Sequence, residues 1–147
     1  LFQTGGFKRE EQEIREHGEK VLGFFGSRLV GYRLNQPASV LSYANRRRLE
    51  IARAMATKPE VILLDEPVAG MNPKESEELT GLIGKLRDDW GFTIVMIEHD
   101  MGVVRDVSDR VVVLDHGETI AQGSYDEVSS DPAVIEAYLG RPAEEAS

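Results

Sequence analysis

Two adjacent carboxylates follow an apolar run near the middle of the chain. Residues 61–64 are all apolar, and Asp65 and Glu66 come directly after them. A short apolar run is typical of a strand that is buried on both faces of a parallel sheet. In open α/β sheets, ligands bind at the carboxyl ends of the strands. The sequence therefore predicts a place where Asp65 and Glu66 hold a metal ion and a water molecule. The alternative is an acidic loop without chemistry.

A second group of ionisable residues follows residues 93–97, which are also predicted to form a strand. The group consists of Glu98, His99 and Asp100. Between the two strands, Asn72 is predicted to begin a helix, because proline follows it at the first helical position and glutamate two residues later, as in a capping box. Strand, helix and strand predict a βαβ unit with parallel strands and a right-handed connection.

Another helix is predicted directly before the acids. Ser42 can cap it, because a serine hydroxyl accepts a hydrogen bond from an early helical N–H, and we expect the helix to begin at residue 43 or 44. The basic run over residues 46–48 is interpreted as a solvated face, and Pro59 ends the helix. Apolar residues recur at helical spacing on the remaining face: Leu49, Ile51, Ala52, Met55 and Ala56.

Short helices and one hairpin are predicted for the rest of the chain. A helix is expected over residues 8–25, with Ile14, Val21, Leu22 and Phe25 on its apolar stripe, and a short helix or turn over residues 28–35. The further predictions concern the second half of the chain: a packing role for Trp90, a helix capped by Asp100, a hairpin of residues 110–114 and 118–121 with His116 in its turn, a capping box of Ser124 and Glu127, a final helix opened by Asp131 and closed by Gly140, and a disordered tail over residues 141–147.

Four motifs in this order resemble those of the ATP-binding subunits of ABC transporters. Residues 41–45, LSYAN, match the signature loop that is usually written LSGGQ, and residues 61–66 match Walker B with its catalytic glutamate. Residues 69–72 match the D-loop, and His99 matches the switch histidine. The resemblance implies the α/β class and a partial P-loop NTPase fold, with parallel strands, flanking helices, and a C-terminal β-hairpin and helices.

The C-terminal region narrows the resemblance to one type of importer. Residues 123–124 and 131–140, together with Tyr43 and residues 72–75, are similar to the ATP-binding subunits of branched-chain amino acid importers. This similarity implies a subunit that powers the import of branched-chain amino acids or similar solutes. Two other interpretations stay open, namely a non-catalytic module that acts through protein–protein interaction and an ABC protein that works on nucleic acid or translation.

The resemblance assigns catalytic and metal-binding roles to three residues. Asp65 would hold Mg²⁺, Glu66 would orient and polarise the attacking water, and His99 would contact the γ-phosphate. These roles consist of positioning and charge stabilisation, which phosphoryl transfer requires.

Five further residues are implied to bind nucleotide. Ser42 and the N–H groups at the following helix start would meet the γ-phosphate of ATP bound to a partner subunit. Ala44 and Asn45 stand where the family prefers glycine and glutamine, and a Cβ at residue 44 restricts the backbone. The implied nucleotide-binding set is Ser42, Tyr43, Ala44, Asn45 and Asn72.

The phosphate-binding loop of the family is missing from these 147 residues, because they contain no G-x-x-x-x-G-K-[ST]. That loop cradles the phosphates and supplies a lysine and a magnesium-binding hydroxyl. We therefore expect ATP and Mg²⁺ as cofactors of the complete domain only. The 147 residues alone are expected neither to bind ATP tightly nor to hydrolyse it. They are interpreted as the C-terminal part of the family domain, from a fragment, a truncated gene or a cassette-borne remnant.

Composition excludes several classes of function. The net charge is −9, which argues against broad contact with nucleic-acid phosphates, and the chain has no cysteine for disulfides or thiolate metal sites. No apolar run approaches the ~20 residues that span a bilayer, and residues 1–7 do not resemble a signal peptide. We expect a soluble protein without nucleic-acid partners. With the family, it would be cytoplasmic and peripheral at the inner face of the membrane, through permease subunits.

Domains and partners follow from the resemblance. The predicted divisions are residues 1–40 in a helical subdomain, 41–122 in the signature helix and ATPase core, 123–140 in a helical extension and 141–147 in the tail. A second ATP-binding subunit and transmembrane permease subunits are the implied partners. In the family sheet, a P-loop strand lies between the strands that match residues 93–97 and 110–114. Without it these strands have open edges, which could close on each other, be filled by another segment or be filled by a second chain. Of these outcomes we expect the last, a homo-oligomer formed by strand addition or exchange of elements.

Overall fold

The computed structural model describes residues 5–139, which divide into two units between Ile97 and Glu98. The first unit contains the following elements: helix α1, Gly5–Phe24; the 3₁₀ turns Gly26–Arg28, Gly31–Asn35 and Ala38–Val40; helix α2, Tyr43–Ala56; strand β1, Val61–Asp65; helix α3, Pro73–Asp88; and strand β2, Thr93–Ile97. The second unit contains the remainder: helix α4, Met101–Val107; strands β3, Val111–Asp115, and β4, Glu118–Gly123; and helices α5, Tyr125–Ser129, and α6, Pro132–Leu139.

Helix α1 forms as predicted, but only the C-terminal half of its apolar stripe is buried. Val21, near the end of α1, and Phe25, directly after the helix, are buried, whereas the Ile14 side chain is exposed. Trp90 packs at the end of α3, as predicted, since its ring lies edge-on to Phe24 with centroids 5.7 Å apart. Lys20 places its ammonium 5.4 Å from the centre of the Trp90 ring.

Strands β1 and β2 form the parallel pair of the predicted βαβ unit. Their register runs from Val61 opposite Thr93 to Asp65 opposite Ile97. Helix α3 connects them, and Asn72 caps its start through the predicted capping box. Helices α2 and α3 and strand β1 contribute eight buried apolar residues to the core of this unit: Ala44, Ile51, Ala52, Met55, Ile62, Leu79, Ile83 and Leu86.

The prediction that β1 is buried on both faces is wrong. Ile62 is buried, but Leu63 on the opposite face is 76% exposed. Side chains alternate across a strand, and the parallel register places Leu63 beside Val95, which is also exposed. Val61 and Ile97 are exposed on this same face. The described part of the first unit therefore covers only one face of the β1–β2 pair.

The second unit is built on the predicted hairpin. Strands β3 and β4 pair antiparallel, and their turn places His116 at φ 47° and Gly117 at φ 86°. Two consecutive positive φ angles are typical of the tight hairpin turn that matches the strand twist. Val113, Val128 and Val134 form the buried cluster that joins the hairpin to α5 and α6.

The remaining predictions concern caps, boundaries and the chain end. Asp100 caps α4 and Ser124 caps α5 through the predicted capping box. Gly140 and residues 141–147 lie outside the described residues, and the four-part domain division stays a prediction. Among residues 5–139, no helix has both the length and the apolar character needed to cross a bilayer.

Candidate functional site

The turn after β1 holds the two predicted acids. Asp65 is the last residue of the strand, and Glu66 follows with φ 42°, a left-handed conformation that is costly for a residue with a side chain. The Glu66 N–H donates to the carbonyl of Ile97 at 2.9 Å, and the Glu66 carbonyl accepts from the Ala69 N–H at 3.1 Å. These bonds hold the turn at the carboxyl edge of the sheet, where Asp65 is exposed and Glu66 is half-buried.

The first turn of α2 presents two exposed and two buried residues. The Ser42 hydroxyl accepts from the Asn45 N–H at 3.4 Å, and the Ser42 carbonyl accepts from the Arg46 N–H at 2.9 Å. Ser42 and Tyr43 are exposed, whereas Ala44 and Asn45 are buried. An exposed helix start can attract an anion through its dipole and N–H groups. At this turn, the Ser42 and Tyr43 side chains are accessible to a ligand, whereas those of Ala44 and Asn45 are not.

Tyr43 joins the start of α2 to the turn after β1. A Cβ built on Gly70 would lie 3.6 Å from Tyr43 Cε1, which places the tyrosine ring against the backbone of that turn. Gly70 has φ 72°, a conformation that residues with side chains rarely adopt. The structure thus places Tyr43, one of the predicted nucleotide-binding residues, against Gly70 in the stretch that matches the D-loop.

A cavity of about 270 Å³ lies beside Asp65, between α2 and β1. Arg47 lines it and donates to Glu50 at 3.0 Å. The hydrogen bond to Glu50 raises the pKa of Arg47, against the effect of burial, and the negative charge of Asp65 contributes to the rise. The cavity therefore combines a guanidinium, two carboxylates and an apolar wall: Ile51, Ala54, Leu63, Leu64 and Pro67.

Asn72 serves as the cap of α3. Its side-chain oxygen accepts from the Glu75 N–H at 3.0 Å, and its own N–H donates to the Glu75 carboxylate at 3.3 Å. Asn72 is exposed at the end of the turn that begins with Glu66. The cap fixes the orientation of the Asn72 side chain. Asn72 is the residue that is predicted to lie beside the opposite nucleotide.

His99 belongs to the second unit, whereas the other predicted site residues belong to the first. Its side chain is 69% exposed and its Nδ1 lies 3.9 Å from the Glu98 carboxylate, which is buried. The same carboxylate oxygen accepts from the N–H groups of His99 and Asp100 at 2.9 and 3.3 Å. Glu98 has no role predicted from the sequence, but its carboxylate binds the backbone N–H groups of His99 and Asp100.

Arg48 corrects the interpretation of the basic run as a solvated face. Its side chain is 1% exposed and donates to the Asn45 side-chain oxygen at 3.2 Å and to Glu78 at 3.1 Å. Helical spacing could have found it, because Arg48 lies three and seven residues before the buried Ile51 and Met55. Arg46 is exposed and Arg47 half-buried, as at a partly solvated face.

Asp65 is the candidate metal ligand, and it would need further ligands from outside residues 5–139. Among residues 5–139, no group of three or more His, Asp or Glu side chains could hold a metal ion. Mg²⁺ is usually bound by one or two carboxylates together with water and substrate phosphates. The exposed Asp65 at the strand end could take part in such a shared site, whereas the side chains of residues 5–139 alone do not complete one.

Two family models match the chain. The model described as ABC transporter matches residues 6–69, and the model described as branched-chain amino acid ATP-binding cassette transporter matches residues 118–144.

Two curated proteins and one solved structure are similar to the chain. The high-affinity branched-chain amino acid transport ATP-binding proteins BraF of Pseudomonas aeruginosa and LivG of Salmonella typhimurium are 44% and 45% identical over 140 residues, 95% of this chain. The ADP conformation of MJ1267, an ATP-binding cassette of an ABC transporter, is 32% identical with a TM-score of 0.76 and is matched over 87% of this chain and 50% of its own. The chain spans 54% of the length of each curated relative.

Proposed function

The chain belongs to the family of ABC transporter ATP-binding proteins, and we propose that the full-length protein hydrolyses ATP to power import of branched-chain amino acids or similar solutes. The observation that carries this proposal is the 44–45% identity with BraF and LivG over 95% of the chain. The match of residues 118–144 to the branched-chain amino acid cassette model supports the same substrate class.

Within this proposal, the turn after β1 performs the chemistry. Mg²⁺-ATP, when bound, supplies the phosphoryl group that is transferred to water. Asp65 would hold Mg²⁺ from its exposed position at the strand end, and Glu66 would orient the attacking water and accept its proton. The left-handed backbone of Glu66 and its bond to Ile97 support this assignment, because strained residues cluster at functional sites. His99 would contact the γ-phosphate.

The start of α2 would bind the nucleotide of a second ATP-binding subunit. Ser42 and Tyr43 are exposed and would approach the phosphate, whereas Ala44 and Asn45 are buried and would stabilise the turn. Asn72 would lie beside the opposite nucleotide. The further partners in this proposal are transmembrane permease subunits, which would hold the protein at the cytoplasmic face of the membrane.

Uptake by reconstituted transporter tests the proposal. The full-length protein, co-purified with its permease subunits into proteoliposomes, is expected to drive ATP-dependent uptake of labelled leucine or isoleucine. Glu66→Gln should abolish uptake. Glu77→Gln, a change at an exposed position of α3, should not. ATP hydrolysis without uptake of any branched-chain amino acid would overturn the substrate class. Absence of hydrolysis in every preparation would favour the non-catalytic interaction module.

A further inference from the structure

A buried arginine connects the first turn of α2 to α3. Arg48 donates through one terminal nitrogen to the side-chain oxygen of Asn45 at 3.2 Å and through the other to Glu78 at 3.1 Å. Both carboxylate oxygens of Glu78 also accept hydrogen bonds from a terminal nitrogen of Arg28, each at 2.8 Å. A chain of polar contacts thus runs from the predicted nucleotide-binding turn through α3 to the 3₁₀ turn Gly26–Arg28.

Burial makes this arrangement expensive for stability alone. The Arg48 side chain is 1% exposed, and its Nε lies buried without a hydrogen-bond partner among the described residues. Desolvation lowers the pKa of Arg48, with a further lowering from the charge of Arg28 that Glu78 opposes. An apolar side chain of similar volume often serves a buried position as well as, or better than, an ion pair. A geometric role accounts for an arginine here.

The geometry of the two donors supplies that role. A planar guanidinium holds two acceptors in fixed directions, which a lysine ammonium does not. One acceptor, Asn45, lies in the turn capped by Ser42, and the other, Glu78, lies on α3, the helix that Asn72 caps. Arg48 therefore contacts both the turn of residues 42–45 and the helix that follows the Glu66 turn.

We propose that Arg48 is a positioning residue that holds Asn45 and the first turn of α2 against α3 through Glu78, with Arg28 extending this connection to the 3₁₀ turn Gly26–Arg28. The inference rests on the proposed nucleotide-binding function only for its activity readout. The coupling between the turn and the helix is a property of the fold.

Three variants of the full-length protein and one control test the connection. They are Arg48→Met, Glu78→Gln and the double variant, with Glu77→Gln as a matched control on an exposed position of α3. Hydrogen exchange of the Asn45 and Arg46 amides, both bonded to Ser42, reports the order of the turn. Melting temperature and ATP turnover are measured on the same preparations.

Arg48→Met is expected to separate the two kinds of role. It removes a buried charge, while Glu78 keeps Arg28 as its partner, so the melting temperature should stay near that of the wild type. Exchange of the Asn45 and Arg46 amides should nevertheless rise by about twofold or more, the low end of energetic coupling between contacting residues, and kcat should fall. A merely structural arginine would change exchange and turnover only in step with the melting temperature, and that result would overturn the proposal.

Glu78→Gln tests the same connection from the other end. It leaves the Arg48 charge buried without a charged partner, so both the melting temperature and the order of the turn should fall. In the Arg48→Met background, Glu78→Gln should add no further exchange at Asn45 and Arg46, because the connection is already broken. An equal effect in both backgrounds would contradict the proposal. Should the wild type show no ATP turnover, the proposed function fails, while the exchange data still decide this inference.

Discussion

Glu66 is the general base of the proposed site. It combines a positive φ, an anchoring bond from its N–H to the end of β2, and a carboxylate next to the exposed Asp65. The order of apolar run and acids predicted its place at the strand end. The local pattern predicted neither the positive φ of Glu66 nor its hydrogen bond to Ile97, a residue that lies far along the chain at the end of β2.

Glu66→Gln in the full-length protein should separate binding from hydrolysis. The amide keeps the shape of the side chain but cannot accept the proton of the attacking water, so turnover should fall by about 10²–10⁴-fold while ATP binding persists. Steady-state hydrolysis and nucleotide titration by calorimetry measure the two effects, and Glu77→Gln provides the control. His99→Ala should also lower turnover. An unchanged rate in Glu66→Gln would assign the base to another residue.

Sequence pattern predicted caps well and buried polar contacts poorly. Ser42, Asn72 and Ser124 each cap the helix that the sequence assigned to them, because a cap depends on residues only a few positions away. Helical spacing could have indicated that Arg48 is buried, but it could not identify its partner Glu78, which lies thirty residues away in the chain. Local rules cannot pair residues that tertiary packing brings together.

The cap of α3 offers a test at the level of one element. Asn72→Ala removes the side-chain acceptor of the Glu75 N–H and should cost about 1 kcal/mol of unfolding free energy. Asn72→Ser retains a good capping group and should cost little. Urea unfolding followed by circular dichroism compares the two variants. Equal destabilisation by serine and alanine would mean that the amide, and not the cap, stabilises this turn.

The cap of α5 makes stability depend on pH. The Ser124 N–H and hydroxyl donate to the Glu127 carboxylate and lower its pKa below the ordinary value of 4.5. The stabilisation is present above the unfolded-state pKa and is lost as the pH falls through the lower folded-state pKa. The melting temperature of the wild type should therefore exceed that of Glu127→Gln at pH 7, and the difference should shrink below about pH 4.5. A difference that is constant with pH would exclude this cause.

At the scale of the whole molecule, the sheet face of the first unit is the largest departure from sequence expectation. An apolar run predicts a buried strand, but burial of both faces needs elements on both sides of the sheet. The described residues of the first unit supply them on one side. Leu63, Val95 and Ile97, exposed by 76%, 54% and 64%, therefore form an apolar surface together with Val61. Contiguous exposed apolar surface usually marks an interaction site.

This surface sharpens the expectation of a homo-oligomer for the 147-residue chain. Burying apolar area stabilises association by about 25 cal/mol per Å², and an unpaired strand edge can accept another strand. Light scattering should therefore show a dimer or larger species at micromolar concentration. Leu63→Lys should shift it towards monomer, because a charge would then be desolvated at the interface. Tyr32→Lys is the matched control, since Tyr32 is 69% exposed and lies outside the sheet. A monomer at every concentration, or an oligomer indifferent to Leu63→Lys, would show that association does not use this face.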